Sequence, residues 1–173
     1  RLEVEKLEPE YFVGHGQWGG GPGPRVRIEP RHTEMTIITF SDGFYNPPGG
    51  VLGGGPGIAF PHMVRDARTG EKLRDLGNDK PYGVKEGEVW EGFGCSGGGF
   101  GDPLDRDPDL VRYDAREEFI SLEAARDIYG VVLDTGPELY AVDDEATRKL
   151  REELRKKPAE ERHREAWEKF RQR

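Results

Sequence analysis

The chain has 173 residues with 34% hydrophobic and 35% charged side chains, and 26 Lys and Arg against 34 Asp and Glu set a formal net charge of −8. That acidic balance works against a nonspecific nucleic-acid binder, which needs a basic face to displace counterions from phosphate; one cysteine, Cys95, excludes an internal disulfide or a multi-cysteine zinc site and fits the cytoplasm. No apolar run reaches membrane-spanning length and no signal-peptide pattern opens the chain, while 25 glycines and a mean hydropathy of −0.82 predict a small core that orders against a partner or more of its own chain.

The first residue is Arg1, so we expect a processed chain or one that begins inside a longer translation product, and read it as a subunit or fragment. Residues 1–13 (RLEVEKLEPEYFV) read as one or two edge strands broken by Pro9. Residues 14–24 (GHGQWGGGPGP) form a glycine loop with two readings. One is a backbone-lined pocket with His15 as its polar tool; the other is a connection whose Trp18 anchors in the core or at an interface. Val26 and Ile28 alternate with charge and residues 36–40 (TIITF) are β-branched and aromatic, so a turn at Arg31, His32 and Thr33 predicts a hairpin. Residues 44–57 (FYNPPGGVLGGGPG) predict a structured loop pressed on a neighbour. Residues 60–64 are apolar around His62, residues 66–70 (DARTG) are a hairpin turn into 72–76, and residues 85–90 are a turn into a short strand ending at Trp90.

That strand feeds residues 92–103 (GFGCSGGGFGDP), where six glycines in a short run mean that backbone must fit closely against something. Glycine then nearly stops: only Gly130 and Gly136 follow Gly101. The grammar after Pro103 is helical. Asp107 caps a helix with Pro108 in its first position, and Ser121 caps a second that Gly130 ends. Residues 131–133 and 139–142 flank Asp134 to form a small hairpin; Asp143 caps a third helix over 144–157; Pro158 opens a fourth whose Trp167 and Phe170 want a partner. The predicted fold class is α+β, a glycine-loop-rich β domain (1–103) followed by a small helical C-terminal region with a short hairpin (104–157) and a terminal helix that contacts another subunit (158–173).

No constellation in the chain makes a complete active site. Cys95 is a candidate nucleophile, since backbone amides would stabilise its thiolate, or a buried bystander. Asp102 is a candidate catalytic carboxylate. His15, His32 and His62 would have to converge from separate loops to hold a metal, and none forms a spaced ligand pair. Asp102, Asp105, Asp107 and Asp109 sit like a calcium loop, but Pro103 and Pro108 and the missing glycine and glutamate make them helix caps and turn formers. Gly97, Gly98, Gly99 and Gly101 either line a substrate or hold a phosphate through their amides, as a nest does, or pack closely on a partner; the Lys-Ser/Thr ending of a P-loop is missing.

The order of these motifs resembles the C-terminal end of the hydantoinase B family, with its acetone carboxylase-like relatives. The resemblance is carried by residues 97–108 (GGGFGDPLDRDP), 121–125 (SLEAA), 129–134 (YGVVLD), 145–147 (EAT) and, upstream, 47–57 (PPGGVLGGGPG). It runs from about residue 14 to 154; Cys95 and Ser96 interrupt the family's plain glycine run, and residues 157–173 lie beyond the match. The resemblance implies a multi-subunit, ATP-dependent enzyme in which A-type subunits handle nucleotide and larger B-type subunits complete the assembly. Such enzymes hydrolyse hydantoin or 5-oxoproline, or carboxylate acetone or acetophenone with bicarbonate. ATP and Mg are then bound by another subunit, with a divalent metal possible elsewhere in the complex, and the substrate is a small molecule. Two roles stay open: glycine loops lining a shared substrate cavity, or a noncatalytic scaffold held through Trp18, Trp90, Trp167 and Phe170.

Overall fold

The computed structural model describes residues 2–5, 14–59, 61–134, 136 and 140–171, with side chains within 14–165 of those ranges. Among the described residues, seven strands precede Pro103: β1 Leu2–Glu5, β2 Arg25–Ile28, β3 Met35–Ile38, β4 His62–Asp66, β5 Lys72–Leu76, β6 Pro81–Val84 and β7 Glu88–Phe93. Five of them form an antiparallel sheet in the order β1-β2-β7-β4-β5, and β3 pairs with β6 in a separate ribbon. The edge strand expected at the start is β1; the rest of that expectation, residues 6–13, lies outside the described residues.

The hairpin expected between the 26–28 and 36–40 strands does not form. Both edges of β2 are taken, by β1 and β7, and the chain turns away after Pro30 through His32, whose φ is 58°. Burial explains the choice β3 makes instead. Its Met35 and Ile37, together with Tyr82 and Trp90, pack over Val64, Leu76 and Val84, which are buried to within 2% of their surface. The β4–β5 turn forms as expected: Asp66 Oδ1 accepts from the Arg68 and Thr69 amides, and Gly70 takes a φ of 74°.

Glu91, on central strand β7, is fully buried and bonded by Arg25 and Arg65. Burial pushes its carboxyl up, but the two guanidiniums outweigh that and hold it below the usual carboxylate range. Removing both arginines would leave the buried charge uncompensated, the costly way to break such a cluster.

Beyond Pro103 the caps fall where the sequence puts them. A 3-10 turn, Pro103–Asp105, leads to α1 Pro108–Arg116, α2 Leu122–Asp127, the hairpin strands β8 Leu133–Asp134 and β9 Ala141–Val142, α3 Asp144–Leu154 and α4 Ala159–Arg171. Asp107, Ser121 and Asp143 accept from the Asp109, Ala124 and Ala146 amides, and Gly130, at φ 62°, ends the α2 turn. Their shared core is Val111, Ala115, Ile120, Ala124, Ala125, Ile128, Tyr129 and Val131. The chain is therefore an α+β fold with its helices towards the C-terminus. The side chains of Trp167 and Phe170 lie outside the described residues. No described helix is long and apolar enough to cross a membrane.

Candidate functional site

The strand β7 delivers residues 94–101 into a position between the 14–24 and 47–57 loops, and the three segments bond backbone to backbone. Gly97 N donates to Gly21 O (2.9 Å), Gly99 N to Gly55 O (2.9 Å), Phe100 N to Trp18 O (2.9 Å) and Gly101 N to Val51 O (2.9 Å). In return the Gly14 amide donates to Gly97 O (3.0 Å), Trp18 to Phe100 O (2.9 Å) and Val51 to Gly99 O (2.9 Å). This is a lattice of main chains, and its spacing explains the composition. A Cβ on Gly99 would lie 2.1 Å from His15 O, one on Gly98 2.0 Å from Gly49 O, and one on Gly54 2.1 Å from Gly99 O, all rigid backbone atoms. Of the glycines expected to line a substrate or hold a phosphate, Gly97, Gly98, Gly99 and Gly101, the amides of Gly97, Gly99 and Gly101 donate to carbonyls of the chain itself. The three glycine loops pack closely on one another within the chain.

Asp102, a candidate catalytic carboxylate, is engaged on both oxygens. Its Oδ1 accepts from the Leu104 amide (2.9 Å) as the cap of the 3-10 turn, and Arg162, from α4, grips the carboxylate through Nη1 (3.1 Å) and Nη2 (2.5 Å). Burial pushes its pKa up, but Arg162 and the Leu104 amide pull it further down, so it is an anion with partners. The next residue of α4, His163, bonds Gly53 O at 2.8 Å. The terminal helix thus clasps the lattice from outside. Cys95 is half-buried with its sulfur against Gly43, where an added Cβ would lie 2.1 Å from Sγ; no hydrogen bond reaches it among the described residues.

The three histidines do not converge. His32 is exposed, 3.7 Å from the Glu86 carboxylate. His62 is buried and stacked on Trp90, with ring centroids 5.6 Å apart, over Gly92; burial lowers its pKa and favours the neutral ring. His15 is buried elsewhere, its Nδ1 2.8 Å from Tyr129 Oη and its ring edge-on to the phenol. Among the described residues no group of three or more His, Cys, Asp or Glu is placed to hold a metal ion.

The pocket reading of residues 14–24 finds a physical counterpart in a cleft of about 300 Å³ lined by Trp18, Gly19, Gly20 and Pro22 on one side and by Arg106, Asp114, Phe119, Ile120 and Tyr129 on the other. His15 stands behind it, holding Tyr129. Trp18 is 59% exposed at the rim, so it is not a core anchor. At the floor, Arg106 Nε (3.1 Å) and Nη2 (2.8 Å) both donate to Asp114 Oδ2, and Nη1 donates to Gln17 O (2.9 Å). Burial pushes the Asp114 carboxyl up, and Arg106 offsets only part of that. Burial likewise pushes the Tyr129 hydroxyl well above its ordinary value, so it stays protonated as a hydrogen-bonding group.

Arg106, Asp114, Tyr129 and Arg162 escaped the sequence reading. One signal was present for Asp114: it lies three residues after Val111 and one before Ala115, both buried, and so falls on the inward side of α1. A carboxylate there needs a partner, and Arg106 is the nearest cation upstream.

Residues 3–103 match the family model described as hydantoinase B/oxoprolinase. The chain is 33% identical over 160 residues to the caprolactamase subunit beta of Pseudomonas jessenii, a match covering 84% of this chain and 27% of that one. It is 41% identical over 176 residues to the acetone carboxylase alpha subunit of Xanthobacter autotrophicus, covering 83% and 23%. The crystal structure of the ATP-dependent caprolactamase from Pseudomonas jessenii is similar with a TM-score of 0.61 at 25% identity, over 88% of this chain and 25% of that one. The chain spans about a quarter of the length of the relatives it matches.

Proposed function

The chain belongs to the hydantoinase B/oxoprolinase family, and from that premise we propose that it is the glycine-loop and helical C-terminal part of a B-type subunit in an ATP-dependent multi-subunit enzyme that hydrolyses cyclic amides of the hydantoin or 5-oxoproline type. The observation that carries this reading is the family match over residues 3–103, which contains all three lattice segments. Similarity to a caprolactamase subunit supports a cyclic amide as the kind of bond attacked. The partners proposed are A-type subunits and a larger B-type portion, with residues 1–103 as the glycine-loop domain, 104–157 as its helical companion and 158–173 as the subunit contact.

ATP and its Mg are assigned to a partner subunit. This assignment is supported by the Gly97, Gly99 and Gly101 amides, which are bonded within the lattice and so are not offered to a nucleotide's phosphates. In this reading Asp102 and the glycines position the walls of a small-molecule cavity, and Cys95 packs beside them. A second reading, an ATP-dependent ketone carboxylase, has the 41% identity to an acetone carboxylase subunit in its favour. A third, a noncatalytic scaffold, draws on the same lattice and on the clasp from α4.

The test is native mass spectrometry of the assembly purified through this chain, followed by turnover assays with hydantoin, 5-oxoproline and acetone plus bicarbonate, each with ATP. A-type and larger B-type partners with ATP-dependent ring opening are expected. Bicarbonate-dependent turnover of acetone alone selects the carboxylase, and a partnerless chain in an inactive preparation overturns the family-based function.

A further inference from the structure

We propose that the cleft between residues 14–24 and α1 is a binding site for the cis-amide edge of a cyclic amide, an assignment that rests on the cyclic-amide reading above. The argument begins at the floor. Arg106 has five N–H donors in a planar fork, and the three bonds described run to Asp114 Oδ2 and Gln17 O. Both Arg106 bonds to Asp114 fall on the one oxygen, and among the described residues no donor reaches Oδ1. The floor therefore offers an acceptor, Oδ1, beside guanidinium N–H groups still capable of donating. The ion pair is internally compensated, so the complementary ligand is neutral and carries a donor and an acceptor on one edge.

A secondary amide in a small ring has that shape. The ring holds the amide cis, with N–H and C=O on the same edge, whereas an open-chain amide strongly prefers trans and points them in opposite directions. The walls suit the rest of such a ring: Trp18, Pro22, Phe119 and Ile120 supply apolar and aromatic faces. A volume of about 300 Å³ is at the small end of ligand sites, which suits a ring of this size and not a nucleotide. Hydrogen bonds made at a half-buried floor are stronger than in water, and the upward push of burial on Asp114 marks such an environment. The Tyr129–His15 bond and the Gly16 amide, which donates to the same phenol oxygen, fix the inner wall. Hydrolysis adds water to the amide carbon, forming a C–O bond as the C–N bond breaks and leaving a carboxylate and a protonated amine at opposite ends of an open chain, so the product loses the paired edge and no longer matches the floor.

The full 173-residue chain is titrated with δ-valerolactam, N-methyl-δ-valerolactam and N-methylacetamide, following amide and indole resonances by NMR. The expected result is that the lactam shifts Trp18, Gly19 and Gly20, and that the N-methyl lactam, without the donor, and N-methylacetamide, held trans, each bind at least tenfold more weakly. Trp18→Ala and Phe119→Ala, at residues 59% and 45% exposed and so tolerable to the fold, should each weaken the lactam by about tenfold. Equal affinity for the N-methyl lactam, shifts confined to another surface, or no binding up to the lactam's solubility overturns the site. The complex purified through this chain is assayed in parallel with ATP and the same lactam. Turnover without cleft binding overturns this site and leaves the hydrolase reading standing; cleft binding without turnover supports the site and tells against the hydrolase.

Discussion

The two halves of the molecule hold themselves together in opposite ways. In the glycine lattice main chain packs on main chain, with no room for a Cβ at Gly54, Gly98 or Gly99; in the helical region Val111, Ala124, Ile128 and their neighbours bury side chains against side chains. The first is directional and rigid, because each amide has one carbonyl to meet. The second is tolerant, because apolar groups of similar volume interchange at modest cost. A cleft made where the two meet has one wall fixed by backbone bonds and another carrying the chemical groups, and that is where Trp18 faces Arg106 and Asp114.

Substitutions that add one carbon to the lattice should break this contrast most severely. Gly99→Ala would place Cβ 2.1 Å from His15 O and 2.8 Å from Gly14 O, and we predict a loss of about 4 kcal/mol or failure to fold, beyond the 1–3 kcal/mol typical of overpacking. Gly21→Ala, whose Cβ meets nothing within 4 Å, should change stability by less than about 1 kcal/mol. Chemical denaturation of the two variants makes the comparison, and equal effects would mean that the lattice is looser than described. Ile128→Ala in the helical core should cost about 3 kcal/mol through lost burial and a cavity.

The clasp should come next. Arg162→Ala leaves the Asp102 carboxylate, about a quarter exposed, without its guanidinium, and we expect about 2 kcal/mol, below the 3–5 kcal/mol of a fully buried pair. Because the folded pKa of Asp102 is held below its ordinary value of 3.8, its stabilisation is present above that pH and is lost as pH falls through the lower folded value. The gap between wild type and Arg162→Ala should therefore close below about pH 4. Glu88 behaves in the same sense: bonded by Arg74, it is held at about 2 instead of 4.5, so the difference between wild type and Glu88→Gln should shrink as pH falls from 4.5 towards 2. Urea midpoints at a series of pH values read both. An effect of about 1–2 kcal/mol, above that of Gly21→Ala, belongs to Tyr129→Phe, which removes the bonds that the hydroxyl makes with His15 and the Gly16 amide and keeps the ring.

Legibility in the sequence followed the range of the interaction. Asp107 before Pro108, Ser121, Asp143 and the Asp66 turn were readable because the cap or turn bond closes within three residues. The neighbours of β2 were not: its ladder to β7 joins Arg25 to Phe93, and no local pattern selects that partner over the β3 segment nearby. The glycine runs announced close backbone approach, yet only coordinates say that the surface approached is another loop of the same chain. At the candidate site, His15 and Trp18 stood out as rare side chains in a glycine loop, while Arg106 and Asp114 were lost among many charges and became distinct only as a half-buried pair. Asp102 stood out for its place after the glycines, and its partner, Arg162, lies sixty residues away.

Amide hydrogen exchange of Gly97, Gly99, Phe100 and Gly101 in the protein without ligand tests the central claim, that the glycine lattice is closed on itself. The account predicts slow exchange at all four, released together only when the lattice opens, because each N–H donates to a carbonyl at 2.9 Å. Exchange at near-unfolded rates, slowed only when inorganic phosphate or ATP is added, would contradict it and return these amides to the role of a phosphate cradle.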